Sequence, residues 1–103
     1  MVEQYDEFVL EDNNEKYNLR LFIMGASPNS TRAVSNLTAI CEHYLKGRYD
    51  LEIIDVYQQP EQAEFEQIIA LPLLIKTAPG MERRLIGDMS NKDRVLRGLG
   101  LNS

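Results

Sequence analysis

The run Leu19-Arg20-Leu21-Phe22-Ile23-Met24, stopped by Gly25, does most to limit what this chain can fold into. A stretch that is apolar on both alternating faces, with only Arg20 interrupting it, reads as a strand covered on both sides. The following Gly25-Ala26-Ser27-Pro28-Asn29-Ser30 is a turn in which Asn29 or Ser30 is placed to cap a helix. From Thr31 to Leu45 the positions Val34, Leu37, Cys41, Tyr44 and Leu45 recur at steps of three and four, with Ala33 and Ile40 beside them. That spacing predicts one helix with a core-facing stripe, ended by Gly47. Leu51-Glu52-Ile53-Ile54-Asp55-Val56 is then a second strand, and strand, helix and strand in succession imply a right-handed crossover with parallel pairing.

The second half is less strongly patterned. Residues 60–69 read as a short helix opened by Pro60, and Leu71-Pro72-Leu73-Leu74-Ile75-Lys76 as a strand with proline near its start. Thr77-Ala78-Pro79-Gly80 is a turn signal, and Glu82-Arg83-Arg84-Leu85-Ile86-Gly87 a short strand at a sheet edge. Ser90 or Asn91 can cap a last helix over Lys92 to Leu96, too short to be stable alone. The expected architecture is a single α/β domain with helices on both faces of a mixed sheet.

Charge divides the chain. Before Leu19 there are six acids against the single base Lys16, whereas the remainder balances ten acids with ten bases. The net charge of -5 therefore belongs to an N-terminal arm, expected to be flexible over residues 1–18, ahead of a domain over residues 19–103. Such an arm repels nucleic acid and anionic membrane. The domain's bases gather at Arg83-Arg84 and at Lys92, Arg94 and Arg97, which reads as a solvated surface or as a face for an acidic partner. No apolar stretch has the length of a bilayer span and the N-terminus lacks a secretory pattern, so a cytoplasmic location is expected, without membrane contact.

Chemistry finds little to work with. One cysteine, Cys41, and one histidine, His43, cannot supply a dithiol, a zinc centre or a hydrolytic triad, and no cofactor is expected. The turn at 25–30 has neither the lysine and spacing of a phosphate loop nor a dinucleotide fingerprint. Carboxylates such as Glu61, Glu64 and Glu66 read as solvated helix surface. The chain is therefore expected to act by binding proteins and to catalyse nothing.

The first strand, the turn at 25–30, the long helix and Leu71-Pro72 together resemble a thioredoxin-like domain, with Ala26, Ser27, Asn29 and Ser30 where redox members carry cysteines. A closer resemblance is carried by Ser27-Pro28-Asn29-Ser30, Arg32-Ala33, Asn36-Leu37, Ile54-Asp55-Val56, Ala63-Glu64, Arg83-Arg84 and Gly87-Asp88-Met89-Ser90-Asn91. On these residues the chain resembles the KaiB family of the cyanobacterial circadian clock over about residues 19–99. The resemblance implies a non-enzymatic regulator that binds a KaiC-type hexameric ATPase, with a KaiA-like protein or a histidine kinase as further partners. It also implies a homo-oligomeric resting state, tetramer or dimer, whose second half switches between a resting topology and a thioredoxin-like one.

Clock members commonly carry lysines where this chain has Gln58 and Gln67, while Lys76 is retained, and the acidic tail usual after the last helix is replaced by Leu101-Asn102-Ser103. These departures suggest a divergent member working in stress or signalling. The expected partner-binding or fold-switch residues are Pro28, Asn29, Gln58, Gln67, Pro72, Lys76, Gly87, Asp88, Ser90 and Asn91. The competing expectation is a thioredoxin-like adaptor or sensor domain acting with a histidine kinase, without redox activity.

Overall fold

The computed structural model describes residues 15–68 and 70–101. Four strands, β1 (Tyr17–Ile23), β2 (Tyr49–Asp55), β3 (Leu73–Ala78) and β4 (Arg83–Ile86), form one sheet in the order β2-β1-β3-β4. Helix α1 (Pro28–Tyr44) crosses between β1 and β2, α2 (Pro60–Phe65) lies between β2 and β3, and α3 (Lys92–Leu99) closes the domain. β1 pairs in parallel with β2 and antiparallel with β3, which pairs antiparallel with β4. The sheet is mixed, as expected, and the 82–87 segment does supply an edge.

Alternation along β1 divides the core. Leu19 and Leu21 join Ala33, Leu37, Ile40, Cys41 and Leu45 of the α1 region and Val95, Leu96 and Leu99 of α3 in the main apolar cluster. Phe22 points the other way, into a smaller cluster with Ile54, Leu73 and Ile75. Each such side chain taken out of water contributes roughly 1.5–3 kcal/mol, so the α1/α3 side carries most of the apolar stabilisation.

Several boundaries move from where the sequence places them. Tyr17 is buried and pairs with Tyr49, and Asn18 pairs with Ala78, so both residues belong to the sheet rather than to the arm. The same pairing carries β3 through Thr77 and Ala78, which read as turn residues in isolation. The arm over residues 1–14 lies outside the described residues.

Helix α1 starts three residues earlier than its apolar repeat, because Pro28 suits a first helical turn and the Ser27 hydroxyl accepts the Ser30 N–H as the cap. At the other end of the chain, α3 runs on through Gly98. A Cβ there would lie 2.5 Å from Leu85 Cδ1, so the missing side chain is what lets α3 approach β4. Asn91 caps this helix by accepting the Arg94 N–H at 3.1 Å.

The opposite face is held differently. Helix α2 ends at Phe65, short of the expected Ile69, because Gln67 adopts φ +57° and turns the chain out of the helix. None of its residues is buried, and Phe65 is 83 % exposed. What anchors it is charge: Arg20, the one charged residue of β1, reaches Glu66 at 2.8 Å and Gln62 at 2.8 Å. Arg84 on β4 donates to the other Glu66 oxygen and to the Glu66 carbonyl, both at 3.0 Å. Glu66 thus bridges a central and an edge strand through two guanidinium groups.

This arrangement predicts a difference between two truncations. Glu66→Ala should cost about 1–2 kcal/mol, between the values for exposed and buried ion pairs, and should lower hydrogen-exchange protection selectively over residues 62–68. Leu37→Ala should instead cost about 2–5 kcal/mol and lower protection throughout the domain. Uniform loss of protection in Glu66→Ala would contradict an ionic anchor local to α2.

Candidate functional site

In the sheet, the C-terminal ends of β1, β2 and β4 and the N-terminal end of β3 lie at the same edge of the molecule. Eight of the ten candidate residues lie within six residues of these ends: Pro28, Asn29, Gln58, Pro72, Gly87, Asp88, Ser90 and Asn91. The start of α1 faces Leu71 and Pro72 across a cleft of about 240 Å³, with Met24 and Ser30 among its walls. The Leu71-Pro72 peptide is cis. Pro72 is not part of the β3 ladder, but its carbonyl accepts the Gly87 N–H at 3.0 Å, linking the two chain segments that lead into and out of the β3-β4 hairpin.

The 87–91 turn is fastened to α1 from above. Arg32 donates to the Asp88 carboxylate at 3.1 Å and to the Asn29 side chain, while Asn36 donates to the Asp88 carbonyl at 2.9 Å. Asn29, Arg32 and Asn36 are spaced three and four apart, so one face of α1 presents all three. The other Asp88 oxygen accepts the Ser90 N–H at 3.1 Å, and the Ser90 and Arg32 contacts hold the Asp88 carboxyl below the usual carboxylate range. Gly87 has φ +129°, a conformation that side-chain-bearing residues rarely adopt, and Met89 at φ +63° drives its side chain into the main core. The turn is thus built by Gly87, Asp88, Met89 and Asn91 together, and Arg32 and Asn36 complete it. Those last two were not among the expected site residues, although the spacing Asn29, Arg32, Asn36 was legible.

Gln58 is exposed in the loop after β2, beside Tyr57, which is 69 % exposed and packs close to Gly25. Gln67 is exposed at the end of α2 and borders a separate groove of about 290 Å³ with Leu73, Ile86 and Arg94. Lys76 lies apart from the rest. It is buried, and its ammonium donates to the carbonyls of Pro79 and of Met81, the latter at 2.8 Å, so in this fold it organises the β3-β4 turn and presents no charge to a partner at the 28–29 edge.

Ser27 and Ser30 bond to each other at 2.8 Å, and the Ser30 oxygen also accepts the Met24 N–H at 2.9 Å. Cys41 sits in the core, where burial, with Glu42 adding to it, pushes its thiol up to about 12. A thiol so placed is a packing group.

With the cleft, the 87–91 turn and the sheet order in view, the comparison with known sequences is decisive: the KaiB domain profile matches residues 20–101. The chain belongs to the KaiB family. It is 48 % identical over 83 residues to the circadian clock protein KaiB3 of Synechocystis, which covers 81 % of each chain. It is 47 % identical over 85 residues to the circadian clock oscillator protein KaiB of Prochlorococcus marinus, covering 82 % of this chain and 81 % of that one.

Solved structures extend the likeness to the fold alone. The N-terminal domain of Synechococcus elongatus SasA superposes with TM-score 0.67 at 22 % identity, covering 86 % of this chain and 88 % of that one. Mitochondrial thioredoxin 3 of Saccharomyces cerevisiae superposes with TM-score 0.68 at 18 % identity, covering 93 % and 88 %. The fold is thioredoxin-like. Among the described residues no helix is long and apolar enough to cross a membrane, and no group of three or more candidate metal ligands comes together.

Two outcomes follow from these geometries. Because the folded-state pKa of Asp88 is depressed, its contribution to stability is fully present above the ordinary carboxylate range and is lost as pH falls through the lower folded value. A series of thermal melts down to acid pH should show that loss, and Asp88→Asn should remove that share of it; an identical pH profile in the variant would count against the assignment. Cys41, for its part, should react with thiol reagents only after denaturant unfolds the domain, and rapid native labelling would contradict its burial.

Proposed function

We propose that this chain is a non-enzymatic regulator that binds a KaiC-type hexameric ATPase, in circadian timing or in a related stress or signalling system. The observation that carries the reading is the family match over residues 20–101, which spans all four strands except the first residues of β1. Supporting it is the gathering of Pro28, Asn29, Gln58, Pro72, Gly87 and Asp88 at one edge, where Pro28, Asn29 and Gln58 are exposed, Gly87 and Asp88 are half-buried and Pro72 is buried beneath them.

The proposal includes a resting homo-oligomer, dimer or tetramer, and a second half that exchanges the thioredoxin-like arrangement for another. Consistent with such exchange, α2 buries no residue, α3 is about two turns long, and Gln67, Gly87 and Met89 hold positive φ in the connections between elements. A rare binding-competent state would weaken apparent affinity in proportion to its population and slow the approach to equilibrium. A KaiA-like protein or a histidine kinase is the further partner class proposed. The second reading, an adaptor or sensor domain acting with a histidine kinase, would require a stable monomer that keeps the thioredoxin topology throughout.

Size-exclusion chromatography of the chain with the KaiC-type ATPase of the same organism, followed over minutes to hours with ATP present, tests the proposal. Complex should form slowly, and Gly87→Ala or Asp88→Ala should change either the oligomeric state or the rate of complex formation. Absence of complex at every time point would overturn the ATPase reading in favour of the adaptor.

A further inference from the structure

At the edge opposite the candidate site, the start of β4 and the end of α3 enclose a cleft of about 140 Å³ lined by Lys76, Met81, Arg83, Arg97, Gly98 and Gly100. Its character is positive and partly apolar. Arg83 and Arg97 are exposed, and among the described residues neither takes part in an ion pair, whereas Arg20, Arg32 and Arg84 each pair with a carboxylate. Lys76 forms the floor, with its charge turned onto backbone carbonyls, and the Met81 side chain is 77 % exposed at the rim. After burial, the neighbouring Arg83 charge is the second cause that lowers the Lys76 pKa, as expected where positive charge accumulates without a carboxylate.

The complementary charge is in the same chain and enters from the same side. Tyr17 opens β1, Asn18 lies opposite Ala78 of β3, and Lys76 of β3 lies opposite Arg83 of β4. Leu19 lies opposite Lys76 and so two inter-strand spacings, about 10 Å, from Arg83, and Tyr17 at the start of β1, two residues further along the strand, is about 12 Å away. The five steps of chain from Asp12 to Tyr17 can span up to about 17 Å, enough to bring Glu11 and Asp12 to the cleft. Upstream, Phe8-Val9-Leu10 is flanked by the acidic pairs Asp6-Glu7 and Glu11-Asp12, which suits a site in which two arginines share a rim with an exposed methionine.

We propose that the acidic arm, residues 6–12, docks on the Arg83/Arg97 cleft of its own domain. The arm lies across the free edge of β4 and shields its unpaired backbone from pairing with another chain. Lys16 pairs with Asp50 at 3.1 Å toward β2, but both side chains are more than half exposed, and such a pair contributes only about 0–1 kcal/mol, too little to direct the arm away.

The test uses the full chain with Val9→Cys carrying a nitroxide, Cys41 being buried, and reads amide peak intensities by NMR. Loss of intensity should centre on residues 81–83 and 97–100 at low ionic strength. It should be relieved in about 1 M salt, where the screening length falls to about 3 Å, and abolished by Arg83→Glu with Arg97→Glu. Should that double variant fail to fold, Glu11→Gln with Asp12→Asn must abolish the loss instead. Broadening centred on residues 48–50, no broadening, or broadening indifferent to salt and to these variants would overturn the proposal. So would broadening that appears only between labelled and unlabelled copies in a mixed sample, which would make a second copy the occupant.

Discussion

The sheet depends on β1 being apolar on both faces while hydrogen-bonded on both edges. Leu19 and Leu21 are withdrawn from water by α1 and α3, and Phe22 by the segment that follows β2 and by β3, so both faces of the strand contribute to the core. Pairing with β2 on one side and β3 on the other satisfies the backbone that this burial removes from water. The parallel partner is set by the α1 crossover, the antiparallel one by the return of the chain after α2, and β4 then has only the outer edge of β3 to occupy.

The two faces are stabilised by different physics. On the α1/α3 side, burial is contiguous and insensitive to salt. On the other, a helix with no buried residue is tied to the sheet by Glu66 between Arg20 and Arg84. Partly exposed ion pairs contribute far less than a packed apolar stripe, so α2 and the connection through Gln67 form the part of the domain that can be rearranged at lowest cost. That asymmetry coincides with the half of the chain in which KaiB-like switching is proposed. The same edge also carries the contact between Pro72 and Gly87, so a movement of the α2–β3 connection would be felt by the 87–91 turn and, through Asp88 and Arg32, by the start of α1.

The docking proposed for the acidic arm on the basic β4–α3 cleft would add a long-range contact to a short chain. A domain whose own charges balance gains its net negative charge wholly from residues ahead of the sheet, and the entry point of β1 places that charge within reach of two arginines without other anionic partners among the described residues. Solubility and restraint of an exposed edge strand would then come from one segment.

The sequence by itself determined β1, α1 and β2, because their signals are strong and local: a doubly apolar run, a repeat of three and four, and a second apolar run within crossover distance. It also showed the absence of a dithiol and the segregation of charge, since both are matters of composition. The tertiary structure decided what depends on residues distant in the chain. Tyr17, Thr77 and Ala78 are strand residues only because β1, β2 and β3 pair in that register. Gly98, a helix breaker by propensity, lies inside α3 because Leu85 of β4 leaves no room for a Cβ. Lys76 reads as a surface cation and is buried because the carbonyls of Pro79 and Met81 solvate its ammonium. The edge that gathers Pro28, Pro72 and Asp88 exists because parallel and antiparallel pairing bring three separate chain segments to the same end of the sheet, a relation that no local sequence pattern encodes.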